Sequence, residues 1–312
     1  MRVLFCGSGA FAAPSLTAVS AAGHEVVGVV TQPPRRAGRG GKLRATPIAE
    51  KAGQVGFELR ETGNVNDPAE VEWIASRRPD VICVVDFGQM IRAAVRDQAR
   101  IDTFNLHGSL LPELRGAAPV NWALIRGYHT TGVTTFSLVD RMDAGPVYLQ
   151  AELQIAPEEQ AESVRCRCAE LGTGLVCRTL ELLATGQART TPQDESRATY
   201  APQLKKSDGL IDWTAEAATI VNLVRGTWPW PAAQGVFRRW DGVETPVKIA
   251  RASAQGGEGQ PGLVDQDLCV GAGRGRVQIE QIKPADRRLM SWRDFVNGYR
   301  VRPGDQFLQV KS

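Results

Sequence analysis

An amide, an imidazole and a carboxylate in this chain have the spacing for acyl chemistry. In Phe104-Asn105-Leu106-His107-Gly108, Asn105 and His107 are two residues apart at the end of an apolar run that reads as a strand. Side chains two apart on a strand point to the same side. An amide N–H beside an imidazole can grip one carbonyl oxygen and stabilise the oxyanion that forms when a nucleophile attacks an acyl group. Further on, Asp143 lies in Met142-Asp143-Ala144-Gly145, after the strand-like Gly132 to Val139. A carboxylate folding back from there could orient the imidazole and fix its tautomer. On spacing alone a core or capping role for each residue is the commoner outcome, and spacing does not show that the three residues converge.

Other chemistries find less support. Only His24, His107 and His129 are available as imidazole ligands, and Cys166-Arg167-Cys168 is not a CxxC pair, so no metal site is expected. Gly7-Ser8-Gly9 follows an apolar strand, but a dinucleotide fingerprint needs glycine where Ala12 stands. Neither a P-loop nor a GxSxG nucleophile turn occurs.

The elements that must position these residues alternate. Val3–Cys6, His24–Val30 and Val81–Val85 are near-continuous apolar runs, with helix-compatible stretches such as Pro68–Arg77 between them. Such runs suit central strands buried on both faces. The pattern predicts an α/β domain with a Rossmann-like, mostly parallel sheet and ligands at the carboxyl ends of its strands. Residues 158–185 read as a long helix. Short strands among Pro and Gly beyond residue 207 predict a small β-barrel. The boundaries expected are a catalytic domain over 1–189, a linker over 190–207 and a second domain over 208–312.

At 312 residues and 43% hydrophobic, the chain has the length for two domains with sizeable cores. No apolar run approaches the roughly 18 residues of a membrane span, and the N-terminus does not read as a secretory signal. Six scattered cysteines suggest buried thiols in a reducing cytoplasm. The net charge of +3 is unevenly distributed: from Lys205 onward there are 16 basic and 12 acidic residues. Arg35, Arg36, Arg39, Lys42 and Arg44 crowd a short segment with no acid. Either region could face a polyanion or simply be a solvated basic surface.

Residues 105–127, NLHGSLLPELRGAAPVNWALIRG, closely resemble the motif of the 10-formyltetrahydrofolate-dependent formyltransferase family. The opening LFCGSGAFAAPSL is similar to that family's first strand and turn. The resemblance implies Asn105, His107 and Asp143 as catalytic residues, with 10-formyltetrahydrofolate as formyl donor and no metal. It implies a folate pocket lined by Ser109, Leu110, Leu111 and Pro112 together with Phe87, Gly88 and Gln89. The basic segment TQPPRRAGRGGKL resembles an insertion found in the branch that formylates methionyl-initiator tRNA, which implies a tRNA contact through Arg35, Arg36, Arg39, Lys42 and Arg44. The segments TYAPQL, WPWPA and FVNG…PGD are similar to the family's linker and second domain, an OB-like barrel that helps hold tRNA. A cytoplasmic monomer is expected. The alternatives are an enzyme formylating a sugar-nucleotide amine and an RNA-binding protein on a degenerate scaffold. Three positions depart from the family: Asp86 where an Ala opens the turn at the pterin, Arg141 where Gly is usual, and Pro34 for an Asp. The first two are expected to affect folate affinity.

Overall fold

The computed structural model describes residues 1–37 and 41–310. They pack as two compact units. The first comprises Met1–Pro119, Thr131–Leu153 and Arg165–Pro202; the second comprises Val120–Thr130, Gln154–Val164 and Gln203–Ser312.

The first unit is built on strands β1 (Arg2–Gly7), β2 (Glu25–Thr31), β5 (Leu59–Glu61), β6 (Val81–Val85), β7 (Asp102–His107), β8 (Thr130–Ser137) and β9 (Val147–Gln154). A short ribbon, β3 (Arg35–Ala37) and β4 (Lys42–Arg44), interrupts them. The sheet order is β5-β2-β1-β6-β7-β8-β9. Pairings from β5 to β7 are parallel, and β8 runs antiparallel to β7. Val3, Leu4, Phe5 and Cys6 are all fully buried, which is why this run lacks alternation. Each such apolar side chain contributes roughly 1.5–3 kcal/mol on leaving water.

Helices α1 (Ala13–Ala21), α2 (Pro47–Val55), α3 (Pro68–Ser76) and α4 (Ala93–Arg96) alternate with the strands; α5 (Pro119–Ile125) falls almost wholly in the second unit, and α6 (Ala161–Ala184) belongs to the first from Arg165 onward. The start of α2 is set locally: Pro47 fits the first turn, and the Thr46 hydroxyl accepts from Ala49 N–H. The even-numbered residues Leu4, Cys6, Ile82 and Val84 join Ile74, Phe87, Ile91 and Val95 in one core on the α3–α4 side. Burial pushes the Cys6 thiol up to about 12 and raises Cys83 as well, so both behave as small apolar groups.

Chain order reverses between β1 and β6. Two strands extend from β1 on one side, and the chain then crosses over to begin the other. Open α/β sheets bind ligands outside the strand ends at such a switch point. Here the gap is bridged by Asp86 O, which accepts from Ser8 N (3.0 Å) and Gly9 N (3.1 Å).

The second unit holds α7 (Ala217–Thr227), β10 (Ala233–Arg238), β11 (Glu244–Gln255), β12 (Val270–Gly271), β13 (Arg276–Pro284), β14 (Met290–Ser291), α8 (Trp292–Tyr299) and β15 (Gln306–Leu308). The antiparallel order is β12-β13-β11-β10-β15, with β14 on β13. Bridges from Leu263 to Gln306 and from Val264 to Val270 nearly close this sheet on itself. Its interior is aromatic: Phe237 meets Phe295 at 5.2 Å and Phe307 at 5.3 Å between ring centroids. The outcome is the expected mostly parallel α/β sheet followed by a small β-barrel.

Candidate active site

Strand β7 delivers Asn105 and His107 to its carboxyl end. Leu106, between them, faces the opposite side, where it packs against Gly172 of α6. The half-buried Asn105 side chain makes no hydrogen bond among the described residues, so its amide is unspent. The His107 ring is 6% exposed. Its Nε2 lies 2.9 Å from Leu114 O. A carbonyl can only accept, so Nε2 carries the proton of that bond. Nδ1 faces Asp143 Oδ2 at 3.7 Å.

Asp143 is brought there by a tight turn after β8, and it adopts the left-handed region at φ 51°. Residues with short polar side chains tolerate that conformation best. Gly145 completes the turn: a Cβ there would stand 1.7 Å from Ser137 O, so no other residue fits without backbone movement. Asp143 Oδ2 also accepts from Gly116 N at 2.8 Å. The structure thus brings His107 and Asp143 together, with Asn105 one step back on the same side of the strand.

Ser109–Pro112 form a largely buried turn. The Ser109 hydroxyl donates to Glu113 O (2.6 Å), and the Thr134 hydroxyl donates to Ser109 O (2.7 Å) while accepting from Leu111 N (3.1 Å). Gln150 Nε2 donates to Leu111 O at 2.8 Å. Leu110 is half-buried and packs toward Gly132. On the other segment, Phe87 is sunk in the core and the Gln89 amide is spent on Thr62 O and Val65 N. What 87–89 can offer a ligand is backbone around the exposed Gly88.

The two unexpected residues have structural partners. Asp86 (φ 47°) lies over Gly9, where any Cβ would fall 1.7 Å from its Oδ2. Water reaches this residue, yet it lies in a recess. There the surrounding protein raises its carboxyl above the ordinary range, partly offset by the Arg165 charge and the Phe11 N–H. A raised folded-state value destabilises the fold as pH rises through the ordinary carboxylate range, and the penalty is complete above the raised value. Asp86→Asn is therefore expected to raise the melting temperature at pH 7, with the gain vanishing near about pH 3. Thermal melts at both pH values check this, and an equal gain at both would be inconsistent with it. Arg141 pairs with Glu195. The hydrogen-bonded Arg115, and Arg141 with it, hold the Glu195 carboxyl below its usual range, so this contact is charged at neutral pH and is lost only on acidification.

The basic segment forms an antiparallel ribbon, with Arg35 opposite Arg44 and Arg36 opposite Leu43. Arg35, Arg36, Lys42 and Arg44 are exposed; Arg39 lies outside the described residues. Arg35 reaches Gln32 Oε1, and Arg36 Nη1 donates to Gly41 O at 3.3 Å. Like charges directly opposite on a two-stranded ribbon destabilise it, and a polyanion would relieve that cost.

Sequence reading missed Arg115, Gln193 and Glu195. Gln193 Nε2 donates to Asp143 O (2.9 Å) and Gly145 O (2.7 Å). Arg115 lies within residues 105–127; Gln193 and Glu195 lie in the turn-rich stretch 190–207, with no periodicity to reveal them. Among the described residues no cluster could hold a metal ion.

Residues 1–180 match the family described as formyl transferase, and residues 203–300 match the formyl transferase C-terminal domain. The chain is 37% identical to methionyl-tRNA formyltransferase of Geobacter sulfurreducens over 316 residues, covering 100% of this chain and 98% of that protein. It is 39% identical to that of Geotalea uraniireducens, covering 97% of each. Among solved structures it resembles HypX from Aquifex aeolicus in complex with tetrahydrofolic acid, with a TM-score of 0.62 and 19% identity over 96% of this chain. It spans about half of that protein, 47%. An N-formyltransferase from Helicobacter canadensis, solved with folinic acid and dTDP-3-aminofucose, gives a TM-score of 0.65 at 12% identity, covering 89% of this chain and 98% of that one. At these identities the two structures speak to the fold alone. The two matched segments and the end-to-end similarity leave one conclusion: the chain belongs to the formyl transferase family.

Proposed function

We propose that this enzyme transfers the formyl group of 10-formyltetrahydrofolate to the amino group of methionyl-initiator tRNA, with Asn105, His107 and Asp143 as its catalytic residues. One observation carries the reading: these residues gather at a sheet's carboxyl edge in a chain similar end to end to methionyl-tRNA formyltransferases. The folate supplies the formyl group. The residues present fit an acyl donor, since Asn105 keeps an unspent amide beside the imidazole of His107.

Asn105 donates to the acyl oxygen, where negative charge develops as the amine attacks. His107, its Nε2 held by Leu114 O, supports the same oxygen through Nδ1–H when the ring is protonated. Asp143 orients His107 and helps take the proton that the attacking amine must lose, directly or through water; the bond from the formyl carbon to the folate nitrogen then breaks, and that nitrogen leaves with a proton. The recess holds amine and acyl group together, which is itself a large part of the rate. Ser109–Pro112 and the backbone at 87–89 form the folate-facing wall. The catalytic domain is taken as 1–189, with 190–207 linking it to the tRNA-holding barrel of 208–312. The enzyme is taken as a cytoplasmic monomer; no described helix is long and apolar enough to cross a membrane.

The ribbon selects the acceptor. Its arginines and Lys42 suit phosphates of the tRNA, and the barrel adds a basic surplus with exposed Trp230 and Trp240. The direct test is purified enzyme with 10-formyltetrahydrofolate and methionyl-initiator tRNA, assayed for N-formylmethionyl-tRNA. Product supports the reading; its absence, alongside formylation of an amino sugar nucleotide, would overturn it. Neutralising Arg36, Lys42 and Arg44 together is expected to weaken tRNA binding and flatten its salt dependence by about one unit of slope per lost phosphate contact. Binding measured across a salt series checks this, and an unchanged slope would remove the ribbon from the interface.

A further inference from the structure

Residues 191–201 form a strap pinned at both ends to the site. At one end Thr191 exchanges two backbone hydrogen bonds with Val147, at 2.8 and 2.9 Å. At the other, Arg115 N donates to Thr199 O (2.8 Å), Ala201 N donates to Arg115 O (2.7 Å), and the Thr199 hydroxyl accepts from Leu114 N (2.9 Å). Leu114 is the residue whose carbonyl holds His107. The strap therefore grips the loop that fixes the imidazole.

Its middle grips the carboxylate turn. Gln193 Nε2 spans the two carbonyls of Asp143 and Gly145. Gln193 Oε1 accepts from Arg115 Nε (3.1 Å) and Nη2 (2.7 Å). Arg115 is wholly buried, and its Nη1 and Nη2 also donate to the two oxygens of Glu195 at 3.1 and 2.9 Å. A guanidinium supplies this fixed fork, which an ammonium could not reproduce. Asp143 is in a left-handed conformation that aspartate tolerates but that neighbouring contacts must hold in one place. Gln193 provides that restraint at the carbonyl, opposite the side-chain hold from Gly116 N.

We propose that Gln193, held by Arg115, is a positioning residue for catalysis: its amide fixes the Asp143–Gly145 turn and so sets the carboxylate against His107. This rests on the reading of Asp143 as a catalytic residue. A loosened turn shifts the carboxylate by a fraction of an ångström to an ångström, and a misplacement of about 1 Å can cost on the order of 10²-fold.

Arg115 is too deeply buried for its truncation to be informative, so the test is made at Gln193 in the full-length enzyme. Gln193→Ala removes both halves of the clamp. Gln193→Glu keeps an acceptor for Arg115 but cannot donate to the two carbonyls. Both are expected to lower kcat by roughly 10- to 100-fold, with KM for folate and for tRNA changed by less than about threefold. The discriminating measurement is a double-mutant cycle with Asp143→Asn, read by single-turnover rates with enzyme in excess. If Gln193 acts through Asp143, adding Gln193→Glu to Asp143→Asn costs nothing further. Losses that multiply in the double variant, a rise in KM at unchanged kcat, or wild-type turnover in Gln193→Glu would each overturn the proposal. Wild-type turnover in Asp143→Asn would overturn the catalytic reading of Asp143, and this inference with it. A crippled Asp143→Asn beside multiplying losses at Gln193 would overturn this inference alone.

Discussion

Asp143→Asn is expected to reduce kcat by about 10²- to 10⁴-fold while leaving the fold and substrate binding close to wild type. Asparagine is nearly isosteric with aspartate and tolerates the left-handed conformation that position 143 adopts at φ 51°. Its side-chain oxygen can still accept from Gly116 N–H, so the turn keeps its anchor. What disappears is the negative charge 3.7 Å from His107 Nδ1 and the capacity to accept a proton. The loss should fall on kcat and kcat/KM alike, because the interaction is needed in the transition state. Steady-state kinetics beside a thermal melt makes the check. A variant within a few-fold of wild type, or one whose melting temperature collapses, would remove Asp143 from the chemistry or show it to be structural.

Asn105→Ala is expected to cost on the order of 10²–10³ in kcat, the range seen when one oxyanion donor is removed. Stability should change little. The Asn105 amide has no partner among the described residues, so truncation orphans no protein group, and the side chain is only half-buried. That combination separates it from the ordinary core residue that its place on β7 would suggest. Asn105→Asp is the sharper variant: it keeps shape but presents a carboxylate where charge must accumulate, and it should be at least as impaired as alanine. Retained activity in either variant would mean that His107 or backbone donors support the acyl oxygen unaided.

Taken together, the two variants divide the site by role. Asn105 should respond to loss of a donor at any pH. Asp143 should respond to loss of a charge that acts through His107. The Gln193 variants should follow the second pattern, since the strap holds the turn that carries Asp143.

Local chemistry dictates a good part of this protein. A short, β-branched apolar run such as Val81–Val85 suits a central strand buried on both faces. The helix over Ala161–Ala184, read from the chain as 158–185, and the alternation before it make the parallel sheet legible. Asn105 and His107 share a side because strand period is two, and the motif around them is continuous in the chain. The meeting of His107 with Asp143 required the fold, because nothing in a separation of some 36 residues sets a distance of 3.7 Å. The same holds for the ribbon, in which Arg35 comes to lie opposite Arg44. It holds for Phe87 and Gln89, which the core and neighbouring backbone claim from the pocket side. Most of all it holds for Gln193. A polar residue in a turn-rich stretch carries no periodic signal, and its role arises only when the chain returns across β9 to meet two carbonyls that would otherwise lack a donor. Periodicity reports which face a residue takes; satisfying buried polar groups across distant segments is settled only by tertiary packing.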